Sequence, residues 1–141
     1  MKRYQIGLRE HLARYAKRRL GVTEPGVHRG RAYPHILPYR LRFLNLLESG
    51  RAEIQDYLRT HPSVQLHQYF HHLNSSQALA LNVFYPYFAA GGQAVHALMR
   101  SMGMGESVES WEFEAVPDDD EGTQVDVAWL DTQGALGCSA R

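Results

Sequence analysis

The chain has 141 residues, the size of one domain, and its 44% hydrophobic content supports a real core and excludes a disordered chain. It has no run of eighteen apolar residues and no apolar signal segment at its charged start, so we expect a cytoplasmic protein without a membrane span. Residues 1–51 hold twelve Lys/Arg against three Asp/Glu, and residues 52–141 hold three against twelve, which favours a polyanion as partner of the first half.

The first sixty residues predict helices joined by one long connector. Apolar residues recur at helical spacing over residues 3–20, and Gly21 fits the end of that helix. Residues 21–38 hold three glycines and three prolines, which is typical of a connector. Two further helices are predicted over residues 39–49 and 52–60.

The segment HHLNSSQALALNVFYPYF, residues 71–88, predicts a buried helix. Asn74 is a good N-cap, and Gln77 stands at the capping-box spacing. The following residues are apolar all round, which is typical of a helix inside the protein. Pro86 should kink or end this helix, and a further short helix is predicted over residues 93–101 beyond two glycines.

The last third of the chain alternates with a period of two residues, which predicts strands. SVESWEFEAV and TQVDVAWLD are the two clear strands, with the acidic turn PDDDEG between them. ALGCSAR could begin a third. We therefore expect an α+β domain, residues 1–141, whose helical N-terminal two-thirds packs on a C-terminal β-hairpin. Trp129 should be buried on the strand face opposite Asp126.

Acidic and histidine side chains are the candidates for a metal site. Asp126 lies between two valines, which is costly unless the carboxylate is solvated, paired or bound to a cation. Carboxylates on adjacent strands, here Glu112, Glu114 and Asp126, could hold Mg²⁺, although a solvent-facing strand side is the simpler interpretation. His67 and His71 are four residues apart and could bind zinc from one helix face, but partly exposed histidines near a helix start are the simpler interpretation.

The runs HLNSSQALALNVFYPYF, SWEFEAV and TQVDVAWLD, in this order, resemble a family of bacterial restriction endonucleases of the PD-(D/E)XK nuclease superfamily. The resemblance covers about residues 65–131. It implies a mixed sheet flanked by helices and Mg²⁺-dependent cleavage of DNA phosphodiesters. It also implies that Asp126 and Glu114 bind the metal and that Gln77 and Asn82 lie near the catalytic centre.

The chain departs from the PD-(D/E)XK pattern after Asp126. The next core strand should bring Glu-x-Lys, but Ser139-Ala140-Arg141 holds that spacing without a carboxylate or a lysine. We therefore expect a C-terminally truncated or frame-shifted relative, with an incomplete α/β restriction-endonuclease-like core in residues 63–141 after a basic helical arm and connector in residues 1–62. Metal affinity and catalysis should be weak or absent.

Three function classes remain open from the sequence. The first is a restriction-type Mg²⁺-dependent endonuclease or an inactive relative, and the second is a DNA-binding protein without catalysis. The third is a small helical protein that forms a homodimer, or recruits a partner chain, to complete its sheet. The residues predicted to contact DNA are Arg14, Lys17, Arg18, Arg19, Arg29, Arg31, Arg40 and Arg42. The opposite charges could instead pair within the fold or between chains.

Overall fold

The computed structural model describes the backbone over residues 2–104, 108–115, 125–131 and 136–139. It has the predicted α+β class, with a largely helical N-terminal part and a small C-terminal antiparallel sheet. No helix in the described ranges is long and apolar enough to cross a membrane. The turn predicted over PDDDEG lies outside the described residues.

Helix α1 spans Lys2–Arg19 and confirms the first predicted helix. Gly21 follows it with φ of 68°, a left-handed conformation that glycine adopts without a Cβ penalty. The amide of Val22 then donates to the carbonyl of Ala16 at 3.0 Å, which folds the chain back beside the helix end. Most of α1 is exposed, whereas Ala16 is buried.

The connector contains a short hairpin that its glycines and prolines did not predict. Strand β1, Gly26–His28, pairs antiparallel with β2, Arg31–Tyr33. The two turn residues, Arg29 and Gly30, have φ of 49° and 74°, the geometry of a tight two-residue hairpin turn. Arginine is an unusual residue for a left-handed position, so the local sequence gave little signal for this turn.

The second predicted helix is only partly correct. Tyr39–Asn45 forms a 3-10 helix, and the chain is extended at Leu46. The helix does not continue beyond this point, because the amide of Leu47 donates to the Asn82 side chain at 2.8 Å instead of to a helical carbonyl. Helix α2 then spans Arg51–Thr60, within one residue of its predicted start.

Helix α3 spans Ser76–Ala90, and α4 spans Gly92–Ser101. The N-cap is Ser75 rather than Asn74, since the Ser75 hydroxyl accepts the amide of Ala78. Pro86 lies within α3 without ending it, and Gly91 separates the two helices with φ of 63°. The expectation of a helix buried all round is wrong, because one stripe of α3 is exposed. This stripe comprises Leu79, Val83 and Tyr87.

The C-terminal sheet has three antiparallel strands rather than two. They are β3, Val108–Ala115, β4, Val125–Asp131, and β5, Leu136–Ser139, in the order β3-β4-β5. The possible third strand is thus confirmed. The described strands contain no parallel pair, so the mixed sheet implied by the resemblance is not observed here. A bulge between Val108 and Ser110 shifts the register of β3. Strict alternation would put Val108 on the face opposite Trp111 and Phe113, but the bulge lets it pack against the same core.

One large core joins the sheet to the helices. Phe113, Val127 and Trp129 of the sheet pack with buried residues of α2, α3 and α4. Trp129 is 6% exposed, which confirms its predicted burial, and its ring stacks on Phe84 of α3 with the centroids 5.6 Å apart. A smaller cluster, around the buried residues Ala16, Val22 and Leu37, attaches the end of α1 to the connector.

Candidate functional site

The two predicted metal-binding acids occupy facing backbone positions in the sheet. Phe113 pairs with Val127 and Ala115 pairs with Val125, so position 114 of β3 lies opposite position 126 of β4. The side chains of Glu114 and Asp126 lie outside the described residues. The register therefore brings these two positions together, while metal binding by their side chains stays a prediction.

The third strand lies next to β4, but its register sets position 139 on the opposite face of the sheet from position 126. Ser139 pairs with Val127, the neighbour of Asp126 along β4. By spacing alone, Ser139 would stand for the glutamate of Glu-x-Lys that the resemblance implies, but the pairing does not bring it to the face of Asp126. A hydroxyl is a weak substitute for a carboxylate ligand of Mg²⁺.

Gln77 connects α3 to the loop before it. Its side chain is 3% exposed, its Oε1 accepts the amide of His67 at 2.9 Å, and its Nε2 donates to the carbonyl of Gln65 at 2.9 Å. Buried backbone groups need such partners because they have no access to water. Instead of closing a capping box, Gln77 satisfies loop groups outside the helix. Its predicted place beside Asp126 and Glu114 remains a prediction.

Two asparagines make the same kind of contact. The Asn82 side chain accepts the amide of Leu47 at 2.8 Å and donates to the carbonyl of Asn45 at 3.0 Å. The side-chain Nδ2 of Asn45 in turn donates to the backbone carbonyls of Phe70 and His72 at 2.8 Å and 2.7 Å. We call Gln77, Asn82 and Asn45 the amide clamp. It explains Gln77 and Asn82 of the NSSQALALN run as residues that fix two distant loops.

The predicted DNA-contacting residues are divided between α1, the hairpin and the 3-10 helix. Those on α1 and at the hairpin are exposed, with Arg29 at the hairpin tip. Arg40 instead forms a surface ion pair with Glu24. Arg42 lies over two aromatic rings, with its guanidinium carbon 4.6 Å from the Tyr39 centroid. Six of the predicted residues are exposed and form no salt bridge within the described part of the chain: Arg14, Lys17, Arg18, Arg19, Arg29 and Arg31.

The structure also reveals a polar pocket that the sequence did not predict. It is lined by Arg9, His28, Tyr33, His35, Ile36, His72 and Asn74, and we call it the histidine pocket. Burial, reinforced by the neighbouring His71 and His28, lowers the pKa of His72 to about 4. Burial and the charge of Arg9 also lower the pKa of His35. No local motif signals this pocket, since its residues come from α1, the hairpin and the loop before α3.

The zinc interpretation finds no support in the described part of the chain. His67 and His71 lie in a loop rather than on one helix face. His71 is 7% exposed, more buried than the sequence predicted. No group of three or more His, Cys, Asp or Glu among the described residues could hold a metal ion.

Residues 9–139 match the family described as "Restriction Endonuclease associating with ARP". The chain belongs to this family. The match is longer than the segment that carries the resemblance in the sequence, since it includes most of α1, the hairpin and β5. No curated protein and no solved structure matches the chain. Membership supports a nuclease-related role with DNA as substrate or partner, and the family description also names an association with ARP.

Proposed function

We propose that the protein is, or descends from, a Mg²⁺-dependent DNA endonuclease of the PD-(D/E)XK type. The observation that carries this proposal is the register of β3 and β4, which sets Glu114 and Asp126 at facing positions in a member of a restriction-endonuclease family. Carboxylates from adjacent strands are the usual way to hold Mg²⁺ against phosphate oxygens. In this assignment Asp126 is the principal metal ligand and Glu114 the second.

The donor set fits a weakly held Mg²⁺. This ion commonly binds through one or two carboxylates and keeps several waters, so two acids are sufficient for binding but not for high affinity. The bound ion would polarise the phosphate and lower the pKa of an attacking water. At the Glu-x-Lys spacing the chain has Ser139 and Arg141, so the carboxylate ligand is missing and the arginine stays protonated. We expect slow cleavage.

Nicking of supercoiled plasmid DNA tests the proposal. The protein should convert plasmid to open circles with Mg²⁺ or Mn²⁺, and Asp126→Asn should reduce this to background. Asp131→Asn is the matched control, because Asp131 is on the same strand at the opposite end, where it pairs with Val108. Equal rates for the protein and Asp126→Asn would eliminate the catalytic assignment.

A second candidate function is DNA binding without cleavage. It is favoured by the exposed cations of α1, where Arg14, Lys17 and Arg18 have no salt bridge among the described residues. Phosphate contacts release counterions, so affinity should fall steeply with salt. Replacing these three residues by alanine should reduce the slope of log K against log salt by about 2–3. Arg100→Ala, on α4, is the control, and a slope near zero for the unaltered protein would end this candidate.

A third candidate, self-association through the sheet, is supported by the pairing of one strand. Strand β5, Leu136–Ser139, pairs with β4 and with no other strand in the described ranges. An open strand edge can receive a strand from a second chain. Light scattering should then report a dimer, and a monomer across the working concentration range would rule this out.

A further inference from the structure

The histidine pocket is enclosed by three segments that are far apart in the sequence. Arg9 comes from α1, His28 and Tyr33 from the β1–β2 hairpin, and His72 from the loop before α3. The cavity has a volume of about 170 Å³ and opens to solvent on one side. A site built from three segments exists only in the folded protein.

Backbone hydrogen bonds hold the walls of the pocket together. Ile36 and His72 form an isolated antiparallel bridge, and the amide of Leu37 donates to the carbonyl of His71 at 3.0 Å. The carbonyl of His72 accepts from Asn45 of the amide clamp at 2.7 Å. The rings of His28 and His72 then meet edge to face with the centroids 5.1 Å apart. The pocket is therefore preorganised rather than a gap between loose side chains.

The chemistry of the lining suits an anion. Among the described residues that line it, every ionisable group is a base or a phenol and none is a carboxylate. Arg9 is permanently charged and takes part in neither of the two salt bridges among the described residues. Tyr33, Asn74 and the histidine rings can all donate hydrogen bonds. The Nε2 atom of His72 is buried and has no hydrogen-bond partner within the described structure.

The volume selects a small ligand. About 170 Å³ corresponds to roughly five or six waters at about 30 Å³ each. Small-molecule pockets usually measure about 300–1,000 Å³, so a complete nucleotide would not fit inside. A single tetrahedral oxyanion with a few waters would fit. A metal cation is disfavoured because Arg9 would repel it and because no described group of three ligands could hold one.

We propose that the histidine pocket binds one phosphate group of a DNA strand. The assignment to DNA rests on the proposed function, whereas oxyanion binding rests on the pocket alone. Arg9 shares α1 with the exposed Lys17, which lies about 12 Å further along the helix axis and about 80° around it. At the other wall, His28 pairs with Arg31 beside the hairpin tip. A strand anchored by a phosphate in the pocket would thus continue along exposed cations on either side.

NMR of the histidine rings tests oxyanion binding directly. Millimolar inorganic phosphate should shift the resonances of His28, His35 and His72 in the full-length protein. Arg9→Ala should weaken this binding about three- to tenfold, the loss of one exposed charge-assisted contact. Arg3→Ala is the matched control, because Arg3 is also exposed on α1 but does not line the pocket. Unshifted histidine resonances, or equal effects of the two variants, would overturn the site.

A competition experiment identifies the source of the phosphate. A short oligonucleotide should displace inorganic phosphate from the pocket, and Arg9→Ala should weaken oligonucleotide binding by the same factor. If phosphate binds and the oligonucleotide does not displace it, the assignment to DNA is wrong. Absence of plasmid nicking leaves the phosphate titration unchanged, so failure of the nuclease proposal and failure of this site are distinguishable.

Discussion

Replacing Gln77 by methionine should destabilise the protein by about 2–4 kcal/mol. The side chain is buried and makes two hydrogen bonds of 2.9 Å to the loop backbone, one to the amide of His67 and one to the carbonyl of Gln65. Methionine keeps nearly the same length and volume, so the change removes hydrogen bonds without opening a large cavity. Each buried backbone group left without a partner costs about 1–3 kcal/mol, and partial hydration of the loop lowers the sum.

Urea denaturation measures this loss as a lower unfolding midpoint at an unchanged slope. Gln93→Met is the matched control, because Gln93 is exposed on α4 and the same substitution there should stay within about 0.5 kcal/mol. If Gln77→Met is as stable as Gln93→Met, the amide clamp does not hold the loop as described. The measurement also bears on the catalytic role expected for Gln77, since a loss of nicking without a loss of stability would favour that role.

Three further changes should affect stability for separate reasons. Burial lowers the pKa of His72 from 6.5 to about 4, so between these pH values His72 is protonated in the unfolded chain but not in the folded protein. The free energy of unfolding should therefore decrease as the pH is lowered from about 6.5 to about 4. We expect a loss of about 1–2 kcal/mol, since solvent near the open pocket screens the full effect, and a smaller loss in His72→Gln. Gly26→Ala should cost about 1–3 kcal/mol because the added Cβ would meet the Leu37 carbonyl, whereas Gly7→Ala, with open space around it in α1, should be neutral or stabilising by up to about 1 kcal/mol. Trp129→Ala should cost about 3–5 kcal/mol by calorimetry or urea titration, and a loss below about 1 kcal/mol would mean that the sheet does not share the helical core.

The sequence alone determined most of the regular elements. The helices over 2–19, 51–60, 76–90 and 92–101 and the strands of the sheet follow from local hydrophobic periodicity, glycine breaks and alternation. These patterns depend only on residues a few positions apart, so they can be recognised in the sequence without the tertiary structure. Short runs in a fixed order also predicted a restriction-endonuclease family, and the family match confirms that part of the resemblance.

Only the tertiary structure decided which polar groups meet. Asn82 takes a backbone donor at Leu47 and thereby ends the second predicted helix early, which no pattern within residues 39–49 could reveal. Gln77 bonds to the preceding loop rather than capping its own helix. The histidine pocket combines Arg9 with His72, sixty-three positions apart. Hydrogen bonds and cavities between distant segments depend on how whole elements pack, and packing is a property of the folded chain rather than of any window of its sequence.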